Sequence, residues 1–171
     1  LNPTAYLLSA RSFNSNPKNI TATLNQTLSE WQVQQSIKDQ KLIESLPRKT
    51  RTVAKNYFGN PVLSPEEDKI LYTASASATL PILINPRLPG TNSTPESRSI
   101  EKGNTYVYDM KEDRNYLIAK QGNTVEKYLW HPDSGHLIFV DKSNINIMEY
   151  DGQNLTTVYA GPFVNGYVFP W

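Results

Sequence analysis

The chain has 171 residues, enough for one ordinary domain, with 38% hydrophobic and 19% charged residues and a formal net charge of +1. That charge supplies no global field to draw in nucleic acid or an anionic membrane, and no run of about 18 apolar residues is present to span a bilayer. The absence of cysteine excludes disulfides, thiolate metal sites and a cysteine nucleophile, while ten tyrosines and twelve prolines against eight glycines lean toward β structure.

In chain order, Ala5–Ala10 reads as a short buried strand, Asn14–Lys18 as a turn, and Ile20–Leu24 as a half-buried strand by its alternation. Thr27-Leu28-Ser29-Glu30 has the form of a capping box, and it opens a helix predicted over 28–46. Trp31, Val33, Ile37, Ile43 and Leu46 give that helix an apolar stripe, and Pro47 ends it. Arg48, Lys49, Arg51 and Lys55 follow within eight positions; with no interleaved aromatics or Gly-rich loop, a solvated connector outweighs an anion-binding segment. From Val62 onward the chain is strand and turn. Candidate strands cover 69–74, 104–109, 115–118, 125–130, 136–140, 145–150 and 156–159, and Asp151-Gly152 is a hairpin signal.

An internal repeat organises those strands. Leu63-Ser64-Pro65-Glu66-Glu67-Asp68-Lys69-Ile70-Leu71-Tyr72-Thr73 matches Trp130-His131-Pro132-Asp133-Ser134-Gly135-His136-Leu137-Ile138-Phe139-Val140 without a gap, at an offset of 67. Tyr106-Val107-Tyr108-Asp109 matches Met148-Glu149-Tyr150-Asp151 at an offset of 42, so the first copy carries 25 extra residues. Phe169-Pro170-Trp171 resembles a third start. A period of about 40–45 residues is that of one four-stranded propeller blade. The fold expected is therefore mainly β: an incomplete β-propeller, two blades plus parts of others, with one inserted α-helix. The segments are 1–26 as partial blade strands, 27–47 as the helical insertion, 58–123 as a blade with a Pro-rich insertion at 76–102, 124–165 as a second blade, and 166–171 as the start of a further one. In the Pro-Asp-Ser-Gly turn, Pro132 fixes φ, Asp133 bonds its own backbone, and Gly135 is expected to take a positive φ. Both chain ends read as cuts within a longer protein.

The Trp130–Phe139 segment resembles the (F/W)SPDG-(K/R)-(L/I) signature of TolB-like, WD40-like (PD40) propeller repeats, also found in the propellers of prolyl-oligopeptidase-type peptidases. Ser64, Pro65, Asp68, Trp130, His131, Pro132, Asp133 and Gly135, with Tyr108, Asp109, Tyr150 and Asp151 closing later strands, are its structural signature positions. Asp68 departs from the usual Gly, and His131 from the usual Ser. The Leu88–Glu96, Tyr106–Asp113 and Ile147–Gly152 segments resemble bacterial surface proteins that join such a propeller to a PEGA domain and a membrane anchor. The resemblance implies a non-catalytic, extracytoplasmic scaffold that binds a protein or ligand, or the remaining domains of its parent chain. The alternative it implies is the gating propeller of a serine hydrolase whose Gly-x-Ser-x-Gly lies outside this chain.

No catalytic, metal or cofactor site is expected. Ser134, His131, His136 and Asp133 share one turn, whereas a triad converges from separate elements, and the corresponding stretch Ser64–Lys69 has no histidine. Two histidines and one aspartate make part of a metal site at most; Glu66-Glu67-Asp68 and Glu112-Asp113 lack the spacing of a calcium loop. The Asn-x-Ser/Thr tripeptides at 19, 25, 92 and 154 read as chance in so Asn- and Thr-rich a chain. Function is sought in the insertion, where Pro86, Leu88, Pro89, Gly90, Asn92 and Pro95 form the candidate partner surface and an ordered loop over one face is expected. A glycan-binding surface of exposed Tyr and Trp is a weaker reading.

Overall fold

The computed structural model describes residues 4–9, 13–91, 93–125 and 127–161. The third repeat start at Phe169–Trp171, the segment 166–171 and Asn92 lie outside them. The chain divides into two compact units, Leu1–Lys41 and Leu42–Trp171.

In the first unit, β1 (Tyr6–Leu7) pairs antiparallel with β2 (Lys18–Asn19), and a 3-10 turn over Thr21–Thr23 leads into α1 (Leu24–Ser45). The strand expected over 20–24 is absent because Asn19 Oδ1 accepts the Thr21 N–H at 3.0 Å, an Asx-type turn that coils the backbone before it can extend. The helix consequently starts ahead of the capping box, and Thr27 lies inside it. Trp31, Val33 and Ile37 are exposed, so the expected stripe is not a core face along its length. Its C-terminal part differs: Leu42 and Ile43 are partly buried and Leu46 is buried, all in the core of the second unit.

The basic stretch forms a second helix, α2 (Arg48–Tyr57), instead of a connector, so the described residues hold two α-helices where one was expected. Pro47 ends α1 and also starts α2: it stands at the N-cap with ψ 142°, and its carbonyl accepts the Arg51 N–H at 2.8 Å. Thr50, Val53 and Ala54 are buried on one face, while Arg48, Lys49 and Lys55 are exposed. The cations hid an amphipathic period. Arg51 also donates to the Leu46 carbonyl, satisfying an acceptor left open at the end of α1.

The rest of the second unit is mainly β. One sheet is formed by β3 (Phe58–Leu63), β4 (Lys69–Ala74), β7 (Thr105–Asp109) and β8 (Arg114–Ala119), hydrogen-bonded in that order. A second comprises β9 (Tyr128–Trp130), β10 (His136–Asp141), β11 (Asn144–Glu149) and β12 (Thr156–Ala160), again in chain order. Between β4 and β7, the short strands β5 (Ala78–Thr79) and β6 (Ser99–Ile100) pair to form the stem of the insertion. All pairings among the described residues are antiparallel.

The first sheet is covered on both faces. Ile70, Tyr72, Tyr106 and Tyr108 point to a core shared with Val53 and Ala54 of α2, Phe58, and Leu80 and Ile100 of the insertion. The Phe58 and Tyr72 rings stack with centroids 3.7 Å apart. Leu71 and Val107, on the opposite face by strand alternation, pack against Trp130, Leu137, Phe139 and Met148 of the second sheet.

The ladders revise the period. Lys69 faces Asp109 and His136 faces Glu149, so matching Lys69 to His136 matches Asp109 to Glu149, an offset of 40. The sequence match of Tyr108-Asp109 to Tyr150-Asp151 at 42 is two residues out of register, and the first copy carries 27 extra residues. Both sheets also shift register between third and fourth strand at corresponding places, Thr105/Tyr106 and Ile145/Asn146, again 40 apart.

Candidate functional site

The two signature turns close with the same backbone bonds. Ser64 N–H donates to Lys69 O and Glu67 N–H to Ser64 O; in the second turn His131 N–H donates to His136 O and Ser134 N–H to His131 O. Glu67 and Ser134 correspond, and both have φ of 57°. The left-handed residue is therefore Ser134 and not Gly135, which corrects the sequence expectation and removes the puzzle of Asp68. The position that Asp68 shares with Gly135 needs no positive φ, so a side chain is permitted there. Asp68 uses that freedom: it is buried, with its carboxylate 2.8 Å from Lys69 Nζ and 3.0 Å from Lys111 Nζ. Burial raises its pKa, but hydrogen bonds from Lys69, Ser64 and Lys111 together outweigh that and hold it at about 2.

The turns also join the sheets. Ser134 Oγ, buried, accepts the Glu66 N–H at 2.9 Å, and the Trp130 indole N–H donates to Val62 O at 3.1 Å. Lys69 Nζ lies 4.8 Å from the centroid of the Tyr150 ring. The two aspartates expected to end third strands both cap turns, at different register positions. Asp109 Oδ1 accepts the Glu112 N–H and Asp151 Oδ1 the Gln153 N–H. Pro65 and Pro132 are exposed at the turn tips.

The insertion is fastened from below by one carboxylate. Asp113, 2% exposed and at φ 53°, accepts the Tyr108 hydroxyl at 2.7 Å, Arg98 Nη1 at 3.0 Å, and the backbone N–H groups of Leu83 and Ile84 at 2.6 and 2.9 Å. Burial raises the Asp113 pKa, and these four donors more than reverse it. Burial alone opposes the charge on Arg98, but Asp113 and Glu96 raise its pKa further. Higher up, Arg114 donates to Leu88 O and Glu112 accepts the Thr91 N–H at 3.1 Å. Thr94 Oγ1 reaches Asp151 Oδ2 of the second sheet at 2.5 Å. The segment is thus a strap fixed to the β7–β8 turn of one sheet and the β11–β12 turn of the other. Pro86, Leu88, Pro89, Gly90 and Pro95 are all exposed on it, as is Ile82 at 52%, while Leu80 is buried. The Arg98–Asp113 clamp is invisible in sequence, because two isolated charges fifteen residues apart carry no periodic signal.

His131, Asp133 and His136 converge on the second turn. Asp133 Oδ1 lies 3.1 Å from His131 Nδ1, and Oδ2 lies 2.7 Å from His136 Nδ1. Burial raises the Asp133 pKa, and the Gly135 N–H with the two imidazoles brings it down to about 2. No protein-family model, curated protein or solved structure matches the chain.

Proposed function

We propose that the chain is a segment of a β-propeller serving as a binding scaffold, with the strap over residues 81–98 as its partner-facing element. The blade reading is supported by two successive four-stranded antiparallel meanders packed face to face, with matching turns and register shifts one period of 40 apart. The single observation that carries the binding reading is the strap itself. A buried charge clamp holds it in one conformation while Ile82 and Leu88 stay exposed, 52% and 44%. A loop that only closed a gap between strands would have no need of such fastening. In keeping with the resemblance to bacterial surface proteins, the segment works outside the cytoplasm, carried by a longer chain and docking a protein partner or a neighbouring domain.

Two measurements test this. An experimental structure of the full gene product is expected to show further four-stranded sheets arranged about one axis; a closed two-sheet sandwich overturns the propeller reading. Site-specific photo-crosslinking from position 88 in producing cells is expected to trap one discrete protein or a defined segment of the same chain. Crosslinking no stronger than from position 120, exposed just after β8, removes the partner role from the strap.

A further inference from the structure

The chain contains two histidines: His131 lies in the turn between β9 and β10, His136 opens β10, and Asp133 stands between them. The aspartate has a structural reason to be there. Its Oδ1 accepts the N–H groups of Gly135 and His136 at 2.8 and 3.1 Å, donors the turn would otherwise leave open. The backbone closure of the turn does not need the imidazoles. The corresponding positions in the first turn are Ser64 and Lys69, and that turn closes with the same backbone bonds without a histidine.

The approach of both imidazoles to one carboxylate is the second clue. His131 Nδ1 lies 3.1 Å from Asp133 Oδ1 and His136 Nδ1 2.7 Å from Oδ2. Two nitrogens turned toward one carboxylate can share a proton with it or share a cation. The carboxylate is fixed by its two backbone donors, and Ser134 anchors the turn to Glu66 of the neighbouring sheet, so the aspartate is held in place in advance.

We propose that the turn His131–His136 binds a divalent late transition ion, zinc in the first instance, through one nitrogen of each imidazole and the Asp133 carboxylate. Donor atoms of the three residues all lie within 4.8 Å of one another. Tetrahedral zinc with bonds of roughly 2.0–2.2 Å wants its ligands about 3.3–3.5 Å apart, so small side-chain rotations suffice. Two imidazoles with one carboxylate favour zinc, copper or nickel over calcium and magnesium, which prefer oxygen. The three side chains are 39–42% exposed, which leaves the remaining coordination positions open to water or to a side chain of another molecule. This site goes beyond the scaffold reading and does not depend on it.

The test uses the untagged, metal-free chain, because with two histidines and no cysteine any imidazole-dependent binding must be at this turn. Calorimetric titration with Zn²⁺ is expected to show one site, and Ca²⁺ none. His131→Gln and His136→Gln should each weaken Zn²⁺ binding by about tenfold or more, and the double variant should lose it. Imidazole ¹⁵N resonances of the unaltered chain should shift on adding one equivalent of Zn²⁺, a readout independent of how the variants fold. Equal affinity in the double variant, unmoved imidazole resonances, or no binding up to roughly 1 mM Zn²⁺ overturns the proposal.

Discussion

Ser64 Oγ and the Asp133 carboxylate accept hydrogen bonds from corresponding backbone groups: the N–H of Asp68 and Lys69 in one turn, and of Gly135 and His136 in the other. They stand at different positions in their turns, the first and the third. The repeat therefore conserves two backbone donors that must be satisfied, and leaves open which side chain satisfies them.

Ser64 is buried and Asp133 exposed, so removing the acceptor has unequal effects. Ser64→Ala leaves buried N–H groups open and is expected to cost about 1–2 kcal/mol, whereas water can replace the Asp133 carboxylate and Asp133→Ala should cost well under half that. Urea unfolding midpoints with unchanged slopes would show it; equal losses would contradict the equivalence.

Gly135→Ala should be close to neutral, within about 0.5 kcal/mol, because Gly135 does not use a positive φ and a Cβ there meets Asp133 Oδ1 at 3.5 Å. Gly152→Ala should cost about 1 kcal/mol or more: its φ is 85° and an added Cβ comes within 3.2 Å of the Leu117 carbonyl oxygen. Paired thermal melts of the two variants distinguish the positions. A large loss at 135 would restore the glycine to the role its place in the motif implies.

The strap depends on Asp113. Asp113→Ala leaves Arg98, Tyr108 and two backbone donors without their acceptor and is expected to cost about 3–5 kcal/mol. Asp113→Asn keeps the residue's tolerance of φ 53° and one acceptor, so it should cost less. Limited proteolysis should cut between 81 and 98 much faster in both variants, with the sheets protected. Unchanged cleavage would mean the strap is held from elsewhere.

Acid should weaken the fold. Asp68 has a folded-state pKa of about 2 against an ordinary 3.8, so its contribution is present above the higher value and is lost as pH falls through the lower. Asp113 and Asp133 are lowered and act with the same sign. Asp109, raised first by burial, acts oppositely and is outnumbered. Unfolding midpoints should drop between about pH 4 and about pH 2, and Asp68→Asn should flatten that drop. A slope unaltered in Asp68→Asn would assign the acid sensitivity to other carboxylates.

Strands with an apolar run bounded by turn residues were readable: Lys69–Ala74 forms as predicted, and Thr105–Asp109, His136–Asp141 and Asn144–Glu149 form within a residue, whereas β2, β3, β5 and β6 carry no such run and were not anticipated. Their register was harder to read. A slip of two residues, Tyr108 onto Tyr150 in place of Met148, leaves every side chain on its proper face, so hydrophobic alternation cannot detect it. Helix α2 was missed because four cations drew attention from Thr50, Val53 and Ala54. At the candidate sites, the exposed prolines of the strap were legible as a long insertion, but the Asp113 clamp was not. Tertiary geometry alone brings residue 113 to residues 83, 84 and 98.

The insertion between Ala74 and Thr105 has a kinetic consequence. Within the second sheet, β10 and β11 are joined by a two-residue turn with Lys142 at φ 56°; the corresponding strands β4 and β7 can meet only after the chain from Ser75 to Asn104 closes. Loop-closure entropy rises with length, so the hairpin made later on the ribosome is the faster to form. Folding should thus nucleate in the downstream half and run backward along the chain, leaving the strap to lock last. Mutational φ-values for folding should be high at Val140 and Ile145 and low at Leu71 and Val107.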